Sequence, residues 1–115
     1  MPESELYNRA EALERLGDDE ELFGNLAGLF VAESDGYCRA LEDAMTAADA
    51  PVLCREAHTV KSMLATFSYE AGREAAMRLE HLAAAGHLDG AEVLTAEVIG
   101  AVKRLADELA KEQRD

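Results

Sequence analysis

The sequence contains no tryptophan, only two prolines and two cysteines, and aromatic residues make up 5% of it. So few aromatic residues, together with an excess of alanine and leucine, disfavour a sheet and suit helices, and no segment keeps up the strict alternation of a strand. There is no run of eighteen apolar residues, so no membrane span is expected. The start, Met1-Pro2-Glu3-Ser4-Glu5, lacks the basic and apolar regions of a signal peptide, which makes a cytoplasmic protein the expectation. Cys38 and Cys54 form no spacing motif and read as reduced thiols. Positive charge is also scarce, with 11 Lys and Arg against 24 Asp and Glu and a net charge of −13. That balance argues against nucleic acid or anionic lipid as a partner. No Gly-rich nucleotide-binding loop occurs, so the chain is not expected to act as an ATP-dependent kinase.

What is present is 115 residues, 49% of them hydrophobic. That is enough for one modest core and too little for two, so residues 1–115 are expected to form a single domain. The charge is uneven. Residues 1–50 hold 13 acids and 3 bases, and residues 86–115 hold 7 acids and 4 bases. Residues 51–85 hold four of each: Glu56, Glu70, Glu74 and Glu80 against Arg55, Lys61, Arg73 and Arg78. This neutral window would ease the arrival of an anionic group, although a stretch so short can also be neutral by chance.

The chain reads as helices separated by short turns. A short first helix over about residues 4–16 should end at Gly17, and Asp18 or Asp19 can cap the second, with Glu20 and Glu21 favourable in its first turn. Leu22, Leu26, Phe30, Tyr37, Leu41, Ala44 and Ala48 recur on one face of that long second helix. Gly24, Gly28 and Gly36 weaken it by roughly 1 kcal/mol each relative to alanine; they allow either close packing or a bend. Asp49-Ala50-Pro51 restarts the helix with a capping acid and a proline in the first turn. The third helix runs to about Phe67, Ser68 can cap the fourth, and Gly86 ends it. Asp89 and Glu92 suggest a capping box for the last helix. Its stripe is Leu94 (or Ala91), Val98, Val102, Leu105 and Leu109, before the charged tail of residues 111–115. Four substantial helices with short connections predict an all-α, antiparallel up-down-up-down four-helix bundle, with the short N-terminal helix across one end.

In the third helix Leu53, Ala57, Val60, Leu64 and Phe67 are spaced four, three, four and three, a stripe facing the bundle. At about 100° per residue, His58 lies about 140° from the centre of that stripe, towards solvent. Ser62 is on the far side too, Lys61 is about 60° round from His58 and one turn on, and Ala65 is nearly in line with His58 two turns on. Imidazole has an ordinary pKa of about 6.5, so it is largely unprotonated and nucleophilic near neutral pH. Phosphoryl transfer asks mainly for positioning and charge neutralisation. A rigid helix offering His58 with the Lys61 ammonium at i+3, and small neighbours at Ser62 and Ala65 to admit a partner, suits that task.

The run Ala57-His58-Thr59-Val60-Lys61-Ser62, followed by Phe67-Ser68, resembles the centre of the histidine-containing phosphotransfer (HPt) domain family, approximately Ala-His-x-Leu-Lys-Gly. Leu79-Glu80 followed by Gly86 is similar to a later family element, and Leu16 to Leu22 resembles the family's lead into its second helix. The likeness spans about residues 6–110. It implies a four-helix bundle in which His58 accepts and donates a phosphoryl group, Lys61 neutralises its charge, and Ser62 and Ala65 contact the partner. The implied partner is a receiver domain of a response regulator or hybrid kinase, which would hold the magnesium ion, and the chain would need no cofactor of its own. A monomer is expected, and Met1 and the charged tail fit a free-standing protein. The sequence departs from the family pattern at Ser62, where glycine is common, at Thr66, where asparagine is frequent, and at Ser68-Tyr69, where Gly-Ala is frequent.

Two other readings compete. One is an HPt-like adaptor that docks a receiver or kinase without carrying phosphate. The other is a metal-binding bundle in which Cys54 and His58 share an ion with His81 or His87, although the Glu-x-x-His spacing of bundle metal sites occurs at none of the three histidines.

Overall fold

A computed structural model describes residues 6–113 and contains five helices: α1 (Arg9–Arg15), α2 (Glu20–Thr46), α3 (Ala50–Thr66), α4 (Glu70–Ala84) and α5 (Ala91–Gln113). No strand occurs among the described residues. The expected first helix is shorter than residues 4–16, because it starts after Asn8, whose side chain accepts from the Glu11 N–H. Residues 4 and 5 lie outside the described part. Asp19 caps α2 through the Leu22 N–H, and Asp49 caps α3 through the Val52 N–H, with Pro51 in the first turn.

The helices close into a ring in which α2 touches α3, α3 touches α4, α4 touches α5 and α5 returns to α2. Side-chain contacts make three of these pairs antiparallel. Phe30 on α2 packs its ring on Phe67 at the end of α3, His58 on α3 meets Glu80 on α4, and the Gln113 side chain at the end of α5 donates to the Gly24 carbonyl near the start of α2. Helix α1 lies across the end where α2 begins and α5 finishes. Tyr7 bonds to Glu112, Arg9 reaches Glu112 at 2.8 Å and Glu20 at 3.0 Å, and Arg15 donates to the Ala65 carbonyl. Arg9 also stacks 4.7 Å above the Phe23 ring. Burial and the bond to Glu112 push the Tyr7 hydroxyl pKa well up, so it stays a neutral donor.

The stripe of α3 is as the spacing predicts: Leu53, Ala57, Val60 and Leu64 are buried, and Phe67 is buried just beyond the last turn. That of α2 is rotated. Phe23, Ala27, Phe30, Ser34, Cys38, Leu41 and Ala44 form the buried face, while Leu22 is exposed, Leu26 and Tyr37 sit on the shoulder, and Ala48 is an exposed turn residue. The expected face followed the largest side chains. The real one includes Ser34, whose hydroxyl is satisfied by the Val31 carbonyl, and the small Ala27 and Cys38. Among the three glycines of α2, only Gly28 has a close neighbour, the Gln113 side chain, and the helix runs through all three without interruption. On α5 the buried position is Ala91 rather than Leu94.

Helices α1 to α4 end alike, with a residue in the left-handed region folding the chain back: Gly17 and Asp18, Ala48, Ser68 and Gly86. This corrects the role expected of Ser68. It is not the cap of α4 but the turn residue after α3, with φ +54, and Tyr69 occupies the capping position with no side-chain bond. The frequent glycine of the family at this place now has a cause, because L side chains are strained there. The capping box expected at Asp89 is also displaced, since α5 starts at Ala91 and the preceding Gly90 has φ +81.

The α3–α4 seam is closely packed, and its residues explain why. Helix α4 buries Gly72, Ala75, Ala76, Leu79 and Ala83, four of the five small. A Cβ on Gly72 would stand 2.9 Å from Leu64 and 3.0 Å from the Tyr69 ring. Small residues let the two backbones approach, and that approach carries Glu80 to the foot of His58.

Candidate functional site

The exposed face of α3 sets the site. His58 has 58% of its side chain exposed, while Lys61 one turn on has 26% and Glu80 across the seam 17%. The Glu80 carboxylate bridges the other two: Oε2 lies 2.8 Å from His58 Nδ1, and Oε1 lies 2.7 Å from Lys61 Nζ. The Lys61 ammonium, then the bond from His58, hold the Glu80 carboxyl below its ordinary range against the opposing effect of burial. Glu80 is therefore ionised near neutral pH and can only accept. In the neutral imidazole, Nδ1 of His58 then carries the proton, and the lone pair is on Nε2, the other ring nitrogen. A carboxylate that fixes the tautomer and direction of an imidazole is the arrangement that makes histidine an oriented nucleophile.

The neutral window of the sequence takes a specific form. Three of its four bases pair with three of its four acids: Arg55 with Glu56 at 3.5 Å, Lys61 with Glu80 at 2.7 Å, and Arg73 with Glu70 at 2.6 Å. The local charges near His58 are thus tied to one another.

His58 and Lys61, singled out from the sequence, are brought together through Glu80. Ser62 is exposed on the same helix and Ala65 is half-buried. Neither joins the carboxylate network: the Ser62 carbonyl accepts from Thr66, and the Ala65 carbonyl accepts from Arg15. Glu80 itself was assigned no role from the sequence. The available signals were its place in the Leu79-Glu80 pattern and its being one of only four acids in the neutral window, but the pairing across two helices is visible only in three dimensions. No group of three or more histidine, cysteine or acidic side chains among the described residues could hold a metal ion, so Cys54 and His58 gain no third ligand from His81 or His87.

Towards the C-terminal end of α3, an apolar crevice of about 60 Å³ opens between α2 and α3, lined by Leu26, Leu29, Phe30, Tyr37, Met63, Thr66 and Phe67. Leu29 is 56% exposed at its rim. No described helix is long and apolar enough to cross a membrane.

Comparison with known proteins bears on the fold and the family. The structure is similar to the crystal structure of histidine-containing phosphotransfer protein B from Pseudomonas aeruginosa PAO1, with a TM-score of 0.86, 22% sequence identity, and coverage of 98% of this chain and 99% of that one. At that identity the likeness shows the fold, an all-helical bundle. No curated protein matches the sequence. The family model of the Hpt domain matches residues 25–112, most of the chain and all of α3 and α4, and the protein therefore belongs to the Hpt domain family, with a phosphotransfer role in two-component signalling.

Proposed function

We propose that the protein is a phosphorelay intermediate that carries a phosphoryl group on Nε2 of His58 between aspartates of receiver domains. The observation that carries this reading is the single carboxylate, Glu80, held between His58 Nδ1 and Lys61 Nζ at 2.8 and 2.7 Å. The Nε2 lone pair attacks the phosphorus of a phospho-aspartate, the N–P bond forms, and the P–O bond to the aspartate breaks to release its carboxylate. The ring, still protonated at Nδ1, gains positive charge as the bond forms, and the Glu80 carboxylate stabilises it. Lys61 lies close enough to swing from Glu80 to the phosphoryl oxygens and offset their charge. The reverse sequence returns the group to a second receiver. The magnesium ion belongs to the receiver, and the exchange takes place in the cytoplasm.

Docking uses the face of α2 and α3 around His58. Ser62 and Ala65 leave room for the receiver's approach, and the crevice below Leu29 and Met63 offers it apolar surface. Serine at position 62, where glycine is common in the family, adds a hydroxyl close to where the phosphoryl oxygens come to rest and tunes rate and partner choice.

The test is to mix the protein with a phosphorylated receiver domain and look for acid-labile, base-stable phosphate. Wild type is expected to acquire it and His58→Gln to acquire none. Acceptance by His58→Gln would overturn the assignment of His58. Docking by a wild type that takes up no phosphate would make the protein an adaptor.

A further inference from the structure

Helix α3 carries three hydroxyls outside its buried stripe, on Thr59, Ser62 and Thr66. Two are taken up by their own helix. The Thr59 hydroxyl donates to the Arg55 carbonyl at 3.2 Å, and the Thr66 hydroxyl donates to the Ser62 carbonyl at 3.0 Å. The Ser62 hydroxyl bonds to no described residue, and its side chain is exposed. A serine served only by water is ordinary on a helix surface, and it is the place of Ser62 that sets it apart. At about 100° per residue, Ser62 lies about 40° round from His58 in one direction, and Lys61 lies about 60° round in the other. Lys61 Nζ and His58 Nδ1 both end on the Glu80 carboxylate, at 2.7 and 2.8 Å. The two nitrogens of an imidazole face opposite edges of the ring. The bond from Nδ1 to Glu80 therefore turns Nε2 away from the α3–α4 seam, towards the side on which Ser62 stands. Side chains on a helix lean towards its N-terminus, which tilts Ser62, one turn further on, back towards His58.

We infer that the Ser62 hydroxyl donates a hydrogen bond to the phosphoryl group on Nε2 of His58, and so shifts the exchange with a phospho-aspartate towards this protein. The inference rests on His58 being the phosphoryl carrier. A phosphoryl oxygen is an anionic acceptor, and a bond to it is stronger than one between neutral groups. Ser62 gives up no protein partner to make that bond, whereas Lys61 must leave Glu80 to reach the same oxygens. The bond exists only in the phosphorylated form, so it favours that form by its whole strength. The glycine common in the family at this position supplies no donor. The same side chain could instead act by bulk, crowding an arriving receiver. Alanine separates the two effects, because it keeps the Cβ and lacks the hydroxyl.

Wild type, Ser62→Ala and Ser62→Gly are each brought to equilibrium with the same phosphorylated receiver domain, and the phosphate on His58 is compared with that left on the receiver. Both variants should hold about fivefold less than wild type relative to the receiver. Alanine favours a helix more than serine does, so a changed ratio in Ser62→Ala is not a loss of fold. If Ser62→Ala matches wild type and only Ser62→Gly differs, the side chain acts by bulk and the inference is overturned. A second measurement needs no receiver. Each chain is phosphorylated with potassium phosphoramidate, and the second ionisation of the phosphoryl group is followed by ³¹P NMR. A donor favours the dianion, so the midpoint in Ser62→Ala should lie roughly half a pH unit above that of wild type. Equal midpoints overturn the inference. A raised midpoint in Ser62→Ala, with no exchange between wild type and the receiver, would leave the hydrogen bond standing and sink the carrier reading instead.

Discussion

The two opposite seams of the bundle use polar groups in contrasting ways. Along α3–α4, small residues bring the backbones together, and a single carboxylate, that of Glu80, joins His58 and Lys61. Along α2–α5, a groove separates the exposed edges, Glu42, Asp43 and Glu92 form no ion pair among the described residues, and Thr95 is unsatisfied. The contrast teaches that the histidine proposed to carry the phosphoryl group is not the most buried or most strained polar group here. It is the most exposed member of the best-paired network, with 58% of its side chain open. A phosphoryl carrier must deliver its nucleophile into a partner's cleft, so rigidity at the base of the ring and freedom at its tip both serve it.

The largest expected effect comes from breaking the network itself. Lys61→Ala should slow phosphoryl transfer by roughly 10- to 100-fold, below the range for a fully enclosed charge donor because solvent reaches this site. Glu80→Ala should slow it by about tenfold and mix the His58 tautomers, visible in the ¹⁵N shifts of the ring, while binding of the receiver persists. If His58 keeps a single protonated nitrogen in Glu80→Ala, the positioning role of Glu80 is wrong.

The tightness of the α3–α4 seam can be broken separately. In Gly72→Ala the new methyl would meet Leu64 at 2.9 Å and the Tyr69 ring at 3.0 Å, both in the packed core. A loss of about 2 kcal/mol in urea unfolding is expected. Gly24→Ala and Gly36→Ala on α2 meet nothing within 4 Å and should stabilise the protein by about 0.5–1 kcal/mol each. A common sign for all three would erase the claimed difference between the seams.

How much of this was legible depended on whether the signal was local. Helix α3 declared itself because Leu53, Val60, Leu64 and Phe67 are large and lie on one face only, and because Asp49 and Pro51 mark its start. Helix α2 carries Leu22, Leu26 and Leu29 beside Phe23 and Phe30, and two apolar faces compete. The packed bundle chose the one that continues through Ser34 and Cys38, a choice made by neighbouring helices rather than by α2. The exposure of His58 followed from the α3 period alone, whereas Glu80 sits on another helix, 22 residues away in the chain, and its role depends on how closely α4 approaches.

Ser68 shows a further limit, since serine before a helix is a common cap and its identity does not reveal its φ. At φ +54 and 7% exposed, with a hydroxyl that finds no partner, it is strained and unsatisfied at once. Ser68→Gly relieves both, partly offset by the greater freedom of glycine in the unfolded chain, for a net gain of about 1 kcal/mol. The rise in melting temperature should be about 4 °C. A fall would mean that the buried hydroxyl is satisfied in solution.

The smallest effect concerns pH and discriminates between the seams most finely. Lys61, then His58, lower the Glu80 pKa in the folded protein. A carboxyl with a depressed folded pKa adds stability above its unfolded pKa, about 4.3, and loses that contribution as pH falls through the lower folded value. Glu80→Gln should therefore be less stable than wild type at neutral pH by no more than about 1 kcal/mol, since solvent screens the pair. The two proteins should converge as the pH falls through the lowered folded value, because the protonated Glu80 is then as neutral as glutamine. Glu70, also held low by Arg73, titrates identically in both and cancels from the difference. On the other seam, Asp43→Asn removes an unpaired acid from the negative end of α2 and should raise neutral-pH stability by about 0.3–1 kcal/mol. Opposite signs for the two neutralisations at pH 7, read from urea midpoints, are the outcome expected. A loss of stability in both variants would mean that Asp43 has a partner of its own, and the contrast between a paired and an unpaired seam would fail.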